Sequence, residues 1–111
     1  FYIGGWGSQS FIRVSRDQDP VQRDEIPAGF HIDNLRAASD GSILATGQNF
    51  GAGAPPTSHV ARVDPDAMQL QEVIRHPVSE SFGMATTALL VGDELWVGSL
   101  QGDRIARFPT P

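Results

Sequence analysis

The chain has 111 residues and a net charge of −5, from 13 acids against 8 bases, so it lacks the clustered Lys and Arg that a nucleic-acid face needs. Its hydrophobic content of 40% is that of a folded domain rather than a disordered one, and no apolar run approaches the roughly 18 residues of a membrane span. The absence of Cys excludes disulfides, thiolate metal sites and cysteine nucleophiles, while twelve Gly and eight Pro favour turns over long helices.

In chain order, residues 1–6, 11–15 and 21–26 read as short strands. Residues 30–38 form a further strand, followed by the hairpin turn Asp40-Gly41. Residues 42–48 rise as its partner. The stretch 49–57, with two Gly and two Pro, reads as a loop. A strand over 59–64 meets a turn at Pro65-Asp66, where Pro presets the first corner position. Residues 70–75 make the next strand, which Pro77 stops. The pattern then restarts with strands at 82–91, 94–100 and 104–108, separated by turns at Gly92-Asp93 and Gln101-Gly102-Asp103.

These elements repeat. Phe11-Ile12-Arg13-Val14, Val60-Ala61-Arg62-Val63 and Ile105-Ala106-Arg107-Phe108 share one pattern, with their arginines about 45 to 50 residues apart. Each follows an apolar run ending in glycine: Tyr2-Ile3-Gly4, Leu44-Ala45-Thr46-Gly47 and Trp96-Val97-Gly98. Asp40-Gly41-Ser42-Ile43-Leu44 aligns with Gly92-Asp93-Glu94-Leu95-Trp96, and Phe30 falls opposite Phe82. Four antiparallel strands at such a period are the signature of a β-propeller blade. The expected fold is therefore all-β, a partial β-propeller of about two and a half four-stranded blades. Residues 1–26 supply strands two to four of one blade, 27–77 a complete blade, and 78–111 a blade lacking its outermost strand. Ten strands cannot close a ring of roughly four to eight blades. The chain, which opens on Phe1 rather than Met, is thus expected to be the C-terminal portion of a larger propeller. Its partners are then the remaining blades, from the same polypeptide or another chain, unless several identical chains close the ring together.

The first strand of a blade lines the central channel, and there Asp33 and Asn34 interrupt an otherwise apolar run. Their counterparts in the next unit are Ala85 and Thr86, so the repeat itself does not require them. A carboxylate beside a carboxamide offers two hard oxygen ligands, which suits Ca²⁺; alternatively Asp33 caps a turn and Asn34 bonds its own backbone. His31, two residues before Asp33, shares its side of an extended strand and reads as a group near the metal or as a structural histidine. Gln48 and Asn49, where the second strand meets the longest loop, are candidate substrate contacts. His59 and His76 show no zinc spacing and read as surface or packing residues. Ser79, Ser81 and Ser99 lack a Gly-x-Ser-x-Gly context, and Gly4-Gly5-Trp6-Gly7 does not match a phosphate loop. Trp6 and Trp96 are expected to wedge between blades, and Arg13, Arg62 and Arg107 to hold the blade surface.

The stretch Gly29-Phe30-His31-Ile32-Asp33-Asn34-Leu35-Arg36, then Asp40-Gly41 and an apolar strand, resembles the Asp-Asn stretch of calcium-dependent six-bladed propellers. These are the gluconolactonase (senescence-marker-protein) group and the paraoxonase-type arylesterases and lactonases. Val60-Ala61-Arg62-Val63-Asp64-Pro65 and Leu95-Trp96-Val97-Gly98-Ser99-Leu100 look like the closing blades of that superfamily and of strictosidine-synthase-like proteins. The resemblance implies a calcium-dependent hydrolase of lactones or aryl esters. In it Asp33 is a metal ligand and the catalytic carboxylate, and Asn34 is a second ligand, as in the paraoxonase-type branch; the gluconolactonase branch often has Gly there. The ion would act as a Lewis acid on a lactone or ester carbonyl. The family's other ligands, a Glu and one or more Asn, have no matching positions in this chain. The catalytic Glu of the strictosidine-synthase group falls near Thr86, so its condensation chemistry is not implied. From a different class, a non-catalytic propeller that binds a protein or small ligand is the alternative. Calcium dependence and absent thiols lean towards a periplasmic or extracellular site, and the compartment is otherwise open.

Overall fold

The computed structural model describes residues 1–51 and 53–110. Among them the chain is all-β, with ten strands and no helix: β1 (Tyr2–Gly5), β2 (Ser10–Val14), β3 (Arg23–Pro27), β4 (His31–Ala37), β5 (Ile43–Gly51), β6 (Ala54–Asp64), β7 (Gln69–Pro77), β8 (Phe82–Val91), β9 (Glu94–Gly102) and β10 (Ala106–Pro109). They form three antiparallel sheets of consecutive strands, ordered β1-β2-β3, β4-β5-β6-β7 and β8-β9-β10.

The four-stranded sheet is the middle layer, which explains why its central strands are apolar on both sides. Successive side chains of β5 point to opposite faces. Ile43 and Ala45 join Phe11, Phe30, Ile32, Ala61 and Val63 against the first sheet. Leu44 joins Val60 and Ile74 against Phe82, Ala85, Ala88, Leu95 and Val97 of the third. Residues from Ile43 to Gln48 are accordingly all buried. A strand covered on both faces reads as a continuous apolar run rather than an alternating one. The outward faces of the flanking sheets stay open, with Ile3, Leu89, Trp96 and Leu100 exposed.

One expected loop is replaced by regular structure. Across 49–57 the ladder continues through Gln48↔Ser58 and Asn49↔Thr57, and β5 and β6 extend into a long hairpin. Gly53 turns the chain with φ at 86°, Pro55 and Pro56 lie near the start of β6, where Pro is tolerated, and Ala52 lies outside the described residues. Composition at this segment reported the tip and concealed the arms.

Two β-bulges fix the inner strands. In β4 the register steps between Ile32 and Asn34, making Asp33 the extra residue. In β8 it steps between Ala85 and Thr87, making Thr86 the extra residue. The pairing therefore matches Asp33 with Thr86 rather than with Ala85, one position from the sequence alignment. The cause is the turn: the segment joining Ala37 to Ile43 is one residue longer than that joining Leu90 to Leu95. Opposite the β4 bulge sits Gly47, where a Cβ would collide with the carbonyl of His31 and crowd the amide of Asp33.

The recurring arginines each meet an acid on the surface: Arg13 with Asp24 at 2.9 Å, Arg62 with Asp40 at 2.7 Å and Arg107 with Glu94 at 3.8 Å. Exposed pairs of this kind contribute little to stability. Trp96, expected between layers, lies on the outward face of the third sheet beneath the Arg107 guanidinium, 5.8 Å from its ring centroid.

Candidate functional site

A bulge turns its extra residue out of the strict alternation of the strand, and Asp33 is held there by two amides. Asn34 Nδ2 donates to Asp33 Oδ1 at 3.1 Å and to the carbonyl of Thr86 at 2.9 Å. Gln48 Nε2 donates to Asp33 Oδ2 at 2.9 Å and to the carbonyl of Ala85 at 3.0 Å. The bulges of β4 and β8 thus face each other through an acid, two carboxamides and two backbone carbonyls. Asp33 and Asn34 are exposed, whereas Gln48 is 3% exposed.

His31 is not part of this cluster. It pairs directly with Gln48 across the β4–β5 ladder, but its own side-chain partners, Trp6 and Gln9, belong to the turn between β1 and β2. Its Nδ1 bonds the carbonyl of Trp6 at 2.5 Å, an acceptor that fixes the hydrogen on Nδ1. Trp6 lies in the turn after β1, with its ring stacked on His31 at 4.5 Å and tilted against Phe50 at 5.7 Å. Trp6 Nε1 donates to Gln48 Oε1 at 3.1 Å, so this tryptophan does link two sheets. Asn49, the remaining candidate, leaves the cluster and donates to the carbonyl of Gly29 at 2.8 Å. The structure therefore brings Asp33, Asn34 and Gln48 together and sets His31 and Asn49 apart.

Hard-oxygen chemistry is what this cluster offers. The Asp33 carboxylate, the Asn34 amide oxygen and the carbonyls of Ala85 and Thr86 are all donors of the class Ca²⁺ takes. Among the described residues no group of three His, Cys, Asp or Glu side chains is arranged to hold a metal. In this arrangement both Asp33 oxygens and both carbonyls accept amide hydrogens from Asn34 and Gln48.

A second constellation lies on β6 and β7, around one of the histidines that the sequence presented as isolated. His59 is 2% exposed and stacked on Phe30 with ring centroids 5.0 Å apart. Its Nδ1 is 2.9 Å from Glu72 Oε2 and its Nε2 is 2.7 Å from Thr57 Oγ1. Arg75 Nε closes the far side, 2.9 Å from Glu72 Oε1. Burial pushes the Glu72 carboxyl up, but the hydrogen bonds from His59 and Arg75 and the Arg75 charge outweigh it and hold the group below its ordinary value. Thr57, His59 and Arg75 line an open cleft of about 460 Å³, together with Gln9, Asn49 and Phe50. The spacing Thr57-x-His59 was the available signal, since residues two apart share one side of a strand. Glu72 was not legible, because its register against β6 depends on a further bulge, at Val73 of β7.

No protein-family model, curated protein or solved structure matches this chain. Among the described residues no helix is long and apolar enough to cross a membrane.

Proposed function

We propose that this chain is part of a β-propeller hydrolase of the calcium-dependent lactonase and arylesterase kind, with Asp33 and Asn34 as ligands in the central channel. The observation that carries the reading is the Asp33 bulge: a carboxylate turned out of an inner strand and gathered with Asn34, Gln48 and two backbone carbonyls. The stacking of three consecutive-strand sheets supports the architecture, since β1 lies against β4 as β5 lies against β8. A calcium ion there would supply Lewis-acid polarisation of a lactone or ester carbonyl. The chain's own part is positional: Gln48 and Asn34 aim the Asp33 oxygens, and buried Gln48 is itself fixed by Trp6.

The test is calcium titration calorimetry and aryl-ester and lactone hydrolysis, run on the full natural polypeptide and its Asp33→Ala variant. The expected result is calcium-dependent turnover in the parent and a loss of about 100-fold or more in the variant, above the cost of changing an outer-shell partner. Turnover equal in both removes Asp33 from the reaction.

One observation favours a second reading, a non-catalytic propeller face that binds a protein or small ligand. Both Asp33 oxygens already accept amide hydrogens from within the chain, as a purely structural carboxylate would. Under that reading the full polypeptide binds no calcium through Asp33, and the same titration separates the two.

A further inference from the structure

The cleft beside β6 supports an inference that does not rest on the calcium reading. In Thr57, His59 and Glu72 a hydroxyl, an imidazole and a carboxylate stand in series, with both links at hydrogen-bonding distance. The direction of the series follows from chemistry. An ionised Glu72 only accepts, so His59 Nδ1 carries the hydrogen; in the neutral ring Nε2 is then the acceptor, and the Thr57 hydroxyl must donate to it. A nucleophile bonded to a base that a third group orients is the arrangement of covalent catalysis by hydroxyl residues. Burial of His59 and its stacking on Phe30 hold the ring in this pose, while Thr57 is half-buried and lines the open cleft. Arg75, the formal cation among the described lining residues, is held at the cleft by Glu72, 2.9 Å from its Nε.

We infer that Thr57 is the nucleophile of an acyl-transfer site acting on carboxylic esters, with His59 as its general base and Glu72 as the residue that positions the imidazole. Thr57 Oγ bonds to the acyl carbon as its proton passes to His59 Nε2. The ester C–O bond then breaks, and the departing alcohol oxygen takes that proton. A water molecule attacks the acyl-threonine, gives its proton to Nε2, and the acid departs as Thr57 Oγ is reprotonated. No co-reactant beyond ester and water is needed.

The experiment is labelling of the chain with a fluorophosphonate probe in the presence of EDTA, read by intact mass and tandem mass spectrometry. One adduct on Thr57 is expected, absent in Thr57→Val and retained in Thr57→Ser. In His59→Gln the labelling rate should fall about 100-fold or more, as removal of a general base does, with circular dichroism confirming the fold. If that variant unfolds, Glu72→Gln takes its place: its rate should fall about tenfold or more, the direction seen when a triad loses its carboxylate, with recovery in Glu72→Asp. No adduct, an adduct on another residue, or unchanged labelling in folded Thr57→Val overturns the assignment. Equal rates in the parent and Glu72→Gln remove Glu72 from its role.

Discussion

A glutamine side chain carries one carbonyl acceptor and two amide hydrogens, and at Gln48 all of this capacity is met inside the protein. Its oxygen takes the Trp6 indole hydrogen, and its nitrogen serves Asp33 and the carbonyl of Ala85. One buried side chain therefore joins the turn after β1, the bulge of β4 and the bulge of β8. Gln48→Ala should cost about 2–4 kcal/mol, since it strands buried polar groups and leaves a cavity. Urea unfolding followed by circular dichroism measures this, and a cost below about 0.5 kcal/mol would show that Gln48 is not the link described. Gln48→Glu adds a sign that depends on pH. A second carboxylate beside Asp33 repels it, so one of the pair has a folded pKa raised above its unfolded value. The stability of that variant is fully present below the unfolded pKa and declines as pH rises through the carboxylate range. Thr46, on the same strand, gives the contrast: its buried hydroxyl has no partner among the described residues, so burial of a polar group need not mean use.

At the scale of the strand, the feature that presents Asp33 is a missing side chain opposite it. Gly47 pairs with Ile32, and a Cβ there would run into the backbone of His31 and Asp33, which cannot rotate aside. Gly47→Ala should therefore destabilise by about 1–3 kcal/mol, the range for overpacking a close-packed interior. It should also disturb the Asp33 amide more than distant amides such as that of Arg107, a comparison that amide chemical shifts make directly. Equal perturbation of the two would dissociate Gly47 from the bulge. The ten strands were legible because apolar runs between Gly, Pro and Asp carry the period of the pleat, and the repeated arginine motif carried their order. The bulges were not. A bulge is one residue of slack between two pairing registers, and neither Ile32-Asp33-Asn34 nor Ala85-Thr86-Thr87 differs from a regular strand until its partner is known. For this reason Asp33 and Asn34 could be read as neighbours, but the turn of both towards the same face of the strand could not.

The whole molecule is three sheets deep with only its middle sheet covered on both sides. On the third sheet Leu89 and Trp96 are cross-strand partners on the outward face, at 43% and 36% exposure, and Leu100 nearby reaches 74%. On the first, Phe1 and Ile3 are open in the same way. Contiguous exposed apolar surface on a soluble protein marks a place where something packs, and the two internal interfaces already show what such a face accepts: another sheet, meeting it through Leu, Val, Ile and Phe. The chain on its own should therefore associate through these faces at tens of micromolar. Light scattering coupled to size exclusion should give a mass above the 11.9 kDa of the single chain. The double variant Leu89→Lys/Leu100→Lys should move that mass towards the monomer, because each lysine sets a charge where the incoming sheet would strip its water. Both positions are exposed and outside the two packed cores, so the fold itself should survive the change, as circular dichroism would register. A parent chain that stays at 11.9 kDa across the whole concentration range would show that these faces do not seek a neighbour.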